Sequence, residues 1–181
     1  MASPSHVALL RGINVGGKNS LPMKDLVAMF GALGCTDVRT YIQSGNVVFR
    51  APAKLVARVP TLLAAEIAKR VGIAVPVVLR TADELRAVSE NNPFLAAGAD
   101  PAKLHVVFLA ERPAQAKAAA LAPDRSPGDT FACAGREIYL HCPNGLGRSK
   151  LTNDWFDRAL ATTSTMRNWN TVLRLLALAT A

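Results

Sequence analysis

The sequence predicts an α+β protein built from two ferredoxin-like (split βαβ) subdomains with mainly antiparallel sheets. Through residue 80, apolar patterning gives the order strand, helix, strand, strand, helix, strand, which defines the split βαβ arrangement. The same order begins again at residue 104. A tight glycine-containing turn separates the two middle strands of each half, which indicates hairpins and therefore antiparallel neighbours. We place subdomain 1 and its following helix at residues 1–95 and subdomain 2 at residues 96–181.

Turn and cap residues mark the elements of the first half. Pro22 suits the first turn of a helix with Ser20 as its cap, and Gly34 ends that helix. Gly72 ends the second helix, and Pro76 near the start of the last strand indicates an edge or strand-end position. The first strand is apolar almost throughout, as expected of a central strand covered on both faces. The predicted elements are a strand over 6–10, a helix over 22–33, strands over 37–43 and 47–50, a helix over 55–71, a strand over 75–79 and a helix over 82–90.

The second half follows a small, polar stretch at 96–101, the best candidate for a linker. No residue-level repetition of the first half is evident. The predicted elements are a strand over 104–109, a helix over 113–121, hairpin strands over 130–133 and 137–141, a helix over 151–160, a short β-branched segment over 162–166 and a helix over 171–178.

Composition indicates an ordinary soluble globular chain, since half of the 181 residues are hydrophobic and 19% are charged. No apolar run approaches the ~20 residues of a membrane span, so we expect no membrane partner. The N-terminus has no basic region before its first apolar run, and we expect no signal peptide. Three cysteines, Cys35, Cys133 and Cys142, lack CxxC spacing and are interpreted as reduced, buried cytosolic thiols. These observations predict a cytoplasmic location.

The chain is basic, with a formal net charge of +8 and a pI near 9.9. Such a balance attracts polyanions without specifying any of them. A solvated surface that serves only solubility explains the same charge, and both interpretations stay open.

The strongest candidate site is the glycine-rich loop after the first strand. Its glycines can take positive φ and turn their amides toward a ligand, while two cations add positive charge beside them. That combination suits a phosphate, although glycines that simply let the loop fold explain the pattern equally well. The loop comes within one residue of the P-loop motif, but Asn19 replaces the hydroxyl and Pro22 starts the helix too late. The candidate binding residues here are Arg11, Gly12, Asn14, Gly16, Gly17, Lys18 and Asn19.

Further candidates lie in three other segments. Gln43 and Asn46 flank a predicted hairpin tip, where turn chemistry explains Ser44 and Gly45 and a strand-end amide suits a base edge or ribose. A second loop repeats the recipe of glycine, asparagine and cations, with Ser149 as the cap of the next helix. Trp169 is interpreted as core and its neighbour Arg167 as an anion contact, with Asn168 or Asn170 as a helix cap. The candidates added by these segments are Gln43, Asn46, Arg148, Ser149, Lys150, Arg167 and Asn168.

Candidates for catalysis are few. His6, His105 and His141 lie in or beside apolar strands at no shared spacing, as structural histidines do. The pattern contains no catalytic triad and no set of metal ligands, so we predict no metal site and leave open whether the protein is an enzyme. No cofactor and no oligomeric state follow from the sequence.

Six motifs together resemble a widespread bacterial family, the domain of unknown function 1697 family. They are ALLRGINVGGKN at 8–19, TYIQSGNVVF at 40–49, VPVVLRT at 75–81, NPF at 92–94, GRSK at 147–150 and TMRNWNT at 165–171. The resemblance spans nearly the whole chain and implies an α+β fold with two ferredoxin-like halves. It implies no established activity, cofactor or catalytic residue.

Three functional hypotheses remain. The first is a cytosolic protein that binds nucleic acid or a nucleotide through the basic glycine-rich loops, and it predicts salt-sensitive binding that grows with oligonucleotide length. The second is an enzyme acting on a phosphorylated small molecule or nucleotide, which predicts saturable small-ligand binding. The third is a structural or interaction module, in which the same residues serve only turns and caps.

Overall fold

Each half of the chain forms one four-stranded antiparallel sheet, which confirms the predicted α+β class with two split βαβ subdomains. The computed structural model describes residues 4–181. Residues 1–3, part of the segment on which the signal-peptide prediction rests, lie outside the described residues. Contacts group residues 4–86 with 175–181 as a first unit and residues 87–174 as a second. Residues 175–181, which end the last helix, are thus grouped with the first unit, whereas the predicted division places them in subdomain 2.

The first unit has the strand order β2-β3-β1-β4 with every neighbouring pair antiparallel. The central strand β1 is buried along its whole length, as predicted for a strand covered on both faces. Its Ala8 and Leu10 pack with Phe49, Phe30 and Leu63 into one apolar core. The elements are β1 Ser5–Leu10, α1 Met23–Ala32, β2 Thr36–Tyr41, β3 Asn46–Arg50, α2 Ala53–Val56, α3 Val59–Val71, β4 Val77–Thr81 and α4 Ala82–Glu90.

The second unit repeats this topology with the order β6-β7-β5-β8, again antiparallel throughout. Its core joins Val107 and Leu109 of the central strand to Ile138, Leu140 and Phe156. The remaining α-helices and β-strands of the chain are α5 Pro93–Ala96, β5 Leu104–Leu109, α6 Gln115–Ala119, β6 Thr130–Ala134, β7 Glu137–His141, α7 Asn153–Leu160, β8 Ser164–Asn168 and α8 Trp169–Thr180, and short 3₁₀ helices cover Pro101–Lys103 and Leu146–Arg148.

Helix boundaries account for the main differences from the sequence prediction. The helix predicted over 55–71 is broken into α2 and α3, because Pro60 has no N–H to donate and fits only the first turn of a new helix. Ser20 is not the cap of α1, which begins directly after Pro22 without a side-chain cap. The predicted helix over 113–121 shrinks to α6 at Gln115–Ala119.

The two units correspond hydrogen bond by hydrogen bond at the ends of their central strands. Leu10 N donates to Gly45 O over 2.8 Å, and Leu109 N donates to Arg136 O over the same distance. The following amides also match, since Arg11 N donates to Pro76 O over 3.0 Å and Ala110 N to Thr163 O over 2.8 Å. The connections that follow differ in length: residues 11–22 join β1 to α1, whereas residues 110–114 join β5 to α6.

Polar side chains also occupy corresponding positions, three of them buried and one, His105, half-buried. His6 and His105 are each the second residue of the first strand of their unit. Arg80 lies opposite Val7, the third residue of β1, and Arg167 lies opposite Val106, the third residue of β5. Each of these guanidinium groups donates to the carbonyl of the preceding residue, over 2.7 Å in one unit and 2.8 Å in the other. The sequence showed no such repetition because the shared positions are few and widely spaced.

Candidate functional site

The glycine loop, residues 11–22 between β1 and α1, is folded around a tight turn at its tip. Lys18 N donates to Val15 O over 3.0 Å, and these two residues form an isolated antiparallel bridge. Gly16 and Gly17, at the centre of the turn, have φ of 57° and 74°. Two successive positive φ values are typical of the type I′ turn, which glycine adopts without steric cost.

Two asparagine side chains brace the glycine loop. The Asn14 amide donates to Leu21 O over 2.9 Å and to Gln43 O over 2.7 Å, and its oxygen accepts from Leu21 N over 2.8 Å. The Asn19 amide donates to Gly12 O over 2.8 Å. Both asparagines have φ near 50°, a conformation that asparagine tolerates better than most residues. Their amide groups thus hold the loop in shape.

The remaining predicted residues of the loop face outward. Gly12, Gly16 and Gly17 have open space where a Cβ atom would stand, with nothing within 4 Å. The loop backbone at these positions is therefore accessible to a ligand. Lys18 is exposed and Arg11 is half-buried, so one exposed and one half-buried cation border the accessible backbone.

The hairpin turn between β2 and β3 is held against the glycine loop. A Cβ atom on Gly45, whose φ is 79°, would lie 2.6 Å from Leu10 Cβ and 3.0 Å from a side-chain carbon of Ile13. Turn formation therefore accounts for Gly45, as predicted. Asn46 is buried, and its amide donates to Tyr41 O and to Ser44 Oγ. The side chain of Gln43 is exposed, and its backbone carbonyl accepts a hydrogen bond from Asn14 of the glycine loop.

Three segments meet at this end of the first sheet, and we call them the basic edge: residues 11–22, 40–46 and 69–77. Leu10, Asn46 and Val77 mark the sheet positions from which these segments extend. The segments contain four cations and no carboxylate, which gives this edge a positive potential. Lys69 and Arg70 are its members that sequence reasoning missed, because α3 showed no motif; Arg70 pairs with Glu66.

Two exposed aliphatic side chains on the basic edge were also missed. Val15 is 61% exposed at the tip of the glycine loop, and Ile42 is 50% exposed in the hairpin turn. Ile42 has φ 49°, which is an outlier for a β-branched residue. Sequence reasoning placed it inside the strand predicted over 37–43, since isoleucine favours strands. The strand instead ends at Tyr41.

The second predicted loop lies in the second unit, where Arg148 and Lys150 are exposed. Ser149 does not cap α7. Its hydroxyl accepts from Leu151 N over 3.1 Å, and Thr152 is the cap, because its hydroxyl accepts from Trp155 N. Lys150 N donates to Ser126 Oγ, which in turn donates to the buried carboxylate of Asp129 over 2.6 Å. A carboxylate beside this loop opposes the binding of an anion.

Arg167 and Asn168 are the last two residues of β8. Arg167 is buried, and Asn168 caps the helix that follows. Arg167 is only 9% exposed, and its guanidinium donates to Thr165 Oγ1 and Met166 O, each over 2.8 Å. Burial lowers the pKa of Arg167 to about 10. The Asn168 side chain accepts from Thr171 N over 2.8 Å and caps α8, which therefore starts at Trp169 rather than at 171. Trp169 is buried, as predicted for a core residue.

The two glycine-rich loops occupy non-equivalent ends of their sheets. The first follows β1, whereas the second follows β7, which runs antiparallel to the corresponding central strand β5. Asn168, paired with His105, lies at the same sheet end as the second loop. The predicted residues therefore form two groups, one at the basic edge of the first unit and one at the opposite sheet end of the second.

Burial shifts the pKa of two histidines and a thiol. Burial lowers the pKa of His6 and His105 below the usual histidine value, and raises the pKa of the Cys142 thiol to about 11. Across residues 4–181, no three His, Cys, Asp or Glu side chains are arranged to hold a metal ion. Within the same range, every helix is too short or too polar to cross a bilayer.

The near-match to the P-loop motif does not occur in a P-loop setting. The strand before the loop has antiparallel neighbours on both sides, whereas nucleotide kinases place this motif in a parallel sheet. Lys18 lies in the bridge to Val15, well before the helix start at Met23. The loop is therefore a different structure from the phosphate loop of an NTPase.

Comparisons with known proteins agree on fold and family. A solved structure, of conserved bacterial protein SP0830 from Streptococcus pneumoniae, matches with a TM-score of 0.73 at 24% identity, covering 97% of this chain and 98% of that chain. This likeness shows a shared fold. No curated protein matches the chain. The model of the family described as "Protein of unknown function (DUF1697)" matches residues 4–139. Because that match covers well over half of the chain, the protein belongs to the DUF1697 family, as the six sequence motifs predicted.

Proposed function

We propose that the protein binds phosphate-bearing ligands, with nucleic acid as the ligand class, and that the basic edge of the first unit holds the phosphates. The observation that carries this proposal is the braced glycine loop. Its backbone is open to solvent at three glycines, between Arg11 and Lys18. Exposed backbone amides next to cations are the usual elements of an anion site.

The bracing favours binding, because a loop held in place before the ligand arrives loses less conformational entropy on association. Asn14 and Asn19 supply this support through four hydrogen bonds, and Gly45 seats the neighbouring hairpin against Leu10 and Ile13. In this proposal Lys18 and Arg11 attract the phosphates, and Gln43 contributes an exposed amide beside them.

Two cations of the basic edge, Arg11 and Lys18, border the accessible loop backbone, and the Glu66 carboxylate that contacts this edge pairs with Arg70 of α3. Arg148 and Lys150 add positive charge to the second unit. The buried Asp129 carboxylate is nevertheless close to them, because Ser126 accepts a hydrogen bond from Lys150 N and donates one to Asp129. Arg167 is buried and already bonded. We therefore assign the main phosphate contacts to the first unit and only an accessory electrostatic role to the second loop.

The test is fluorescence anisotropy with a labelled oligonucleotide at several salt concentrations. Lys18→Ala is compared with Lys54→Ala, which removes the same charge elsewhere. Lys54 is exposed and follows β3, whose last residue lies opposite Ser5, so it sits at the other end of the sheet. We expect the protein to bind with a steep salt dependence, and Lys18→Ala to reduce the salt slope by about 1. Lys54→Ala should change neither quantity.

Competition separates the ligand classes. If ATP displaced the oligonucleotide at low concentration, the ligand would be a nucleotide, and the alternative of an enzyme acting on a phosphorylated small molecule would take precedence. If the oligonucleotide did not bind at low salt, the proposed function would be refuted and the edge would be a solvated surface.

A further inference from the structure

Exposed aliphatic side chains are concentrated on the basic edge. Among the described residues, four large hydrophobic side chains are exposed, and three of them, Val15, Ile42 and Val71, belong to this edge. Val15 and Ile42 are the most exposed of the four, and the hydrogen bond from Asn14 to Gln43 joins the residues next to them. The two aliphatic groups are thus presented from adjacent, connected segments, which is typical of an interaction surface.

The conformation of Ile42 adds to this argument. Its φ of 49° is unfavourable for a β-branched residue, and glycine would adopt it without strain. Half of the side chain is solvent-exposed, so burial returns little stability. A strained residue that holds an apolar group in water suggests a role in binding rather than in folding.

The charge of the edge selects the partner. The excess of cations on the edge favours an anionic ligand, while Val15 and Ile42 favour one that also presents apolar faces. An unpaired nucleic acid strand presents both, since its phosphates alternate with accessible bases, whereas a duplex keeps its base faces stacked inside.

We infer that the basic edge takes single-stranded nucleic acid, with phosphates at the glycine loop and base faces against Val15 and Ile42. This inference rests on the proposed function and specifies its ligand. In this inference the cations contribute most of the binding affinity, and the two aliphatic side chains contribute the preference for an unpaired strand over a duplex.

The experiment compares three labelled probes of equal length: a single strand, its duplex and a single strand with abasic sugars in place of its nucleosides. The variant Val15→Ser with Ile42→Gly removes both aliphatic groups. Leu173→Ser is the matched control, because Leu173 is 42% exposed on α8 and belongs to none of the three segments of the basic edge. A thermal melt followed by circular dichroism confirms folding, and Ile42→Gly should not lower the melting temperature, since it relieves an unfavourable φ.

We expect the wild type to bind the normal strand on the order of tenfold more tightly than the abasic strand, the effect of burying one or two aliphatic groups. The double variant should lose this preference and still bind the abasic strand, whereas Leu173→Ser should keep it. Equal binding of all three probes would overturn the inference while leaving the proposed function intact. Binding of none would refute the proposed function itself. Displacement of the strand by an acidic amphipathic peptide at equal concentration would also overturn the inference, because a protein ligand would then fit the edge as well.

Discussion

Gly45→Ala should destabilise the first unit strongly, because two separate costs fall on one methyl group. The first cost is conformational, since the φ of 79° at this position is unfavourable for alanine by roughly 1–2 kcal/mol. The second is steric: the new Cβ would lie 2.6 Å from Leu10 Cβ and 3.0 Å from an Ile13 carbon, and both neighbours are fully buried. Overpacking of this kind costs about 1–3 kcal/mol. We expect a total loss of about 2–5 kcal/mol in the free energy of unfolding.

The matched control is Gly135→Ala in the hairpin of the second unit. Gly135 also has positive φ, at 63°, but the nearest atom to its Cβ position is a Glu137 carboxylate oxygen at 3.9 Å. This substitution carries only the conformational cost of roughly 1–2 kcal/mol. Urea denaturation of both variants, followed by circular dichroism, measures the difference. If the two variants lost the same stability, the close seating of the hairpin on Leu10 and Ile13 would be refuted.

Three further predictions concern the loop, pH and the thiols. Asn14→Ala removes three hydrogen bonds and should lower the free energy of unfolding by about 1–3 kcal/mol, which urea denaturation measures. Limited proteolysis of this variant should cut within residues 11–22. Unchanged cleavage would contradict the bracing role of Asn14. Burial holds the pKa of His6 and His105 below 6.5, so the unfolded chain binds more protons, and stability should fall as pH decreases below about 6.5 while staying level above it. The urea midpoint measured from pH 5 to 8 checks this, and His6→Gln should flatten the profile. The prediction that all three cysteines are buried is wrong for Cys133, which is exposed, while Cys35 and Cys142 are buried. Iodoacetamide at mildly alkaline pH should therefore label Cys133 first, and mass spectrometry that found Cys142 modified first would contradict the fold around Cys142.

The order and type of the elements could be predicted because the signals are local. The apolar run of β1 and the glycine turns are set by residues adjacent in sequence. The structure confirms the strand and the positive φ values of the turn glycines. Pro60 shows the limit of periodicity, since one missing N–H divides a segment whose apolar spacing is continuous.

Most of the candidate site depended on contacts that sequence spacing does not encode. Asn14 was identified as a binding residue because it lies in the loop, but its partners Leu21 and Gln43 are brought to it only by the fold. Arg167 was interpreted as an anion contact beside Trp169, yet its side chain is buried and donates to acceptors within its own strand, Thr165 and Met166. Ile42 was hidden by its own strand propensity, because a positive φ at isoleucine has no sequence signal.

Because the two units share a topology and corresponding hydrogen bonds, each unit can be compared with the other to find which features are common to both. A feature found in both units, such as the matching histidine and arginine positions, accompanies the topology wherever this chain repeats it. A feature found in one unit alone is not demanded by the topology. The second unit passes from its first strand to its first helix through residues 110–114, so the twelve residues 11–22 exceed what that step requires. By this internal comparison the topology itself requires only a short connection at this step, and the additional residues, with their asparagine braces and the core side chains Ile13 and Leu21, are an elaboration that the first unit alone carries.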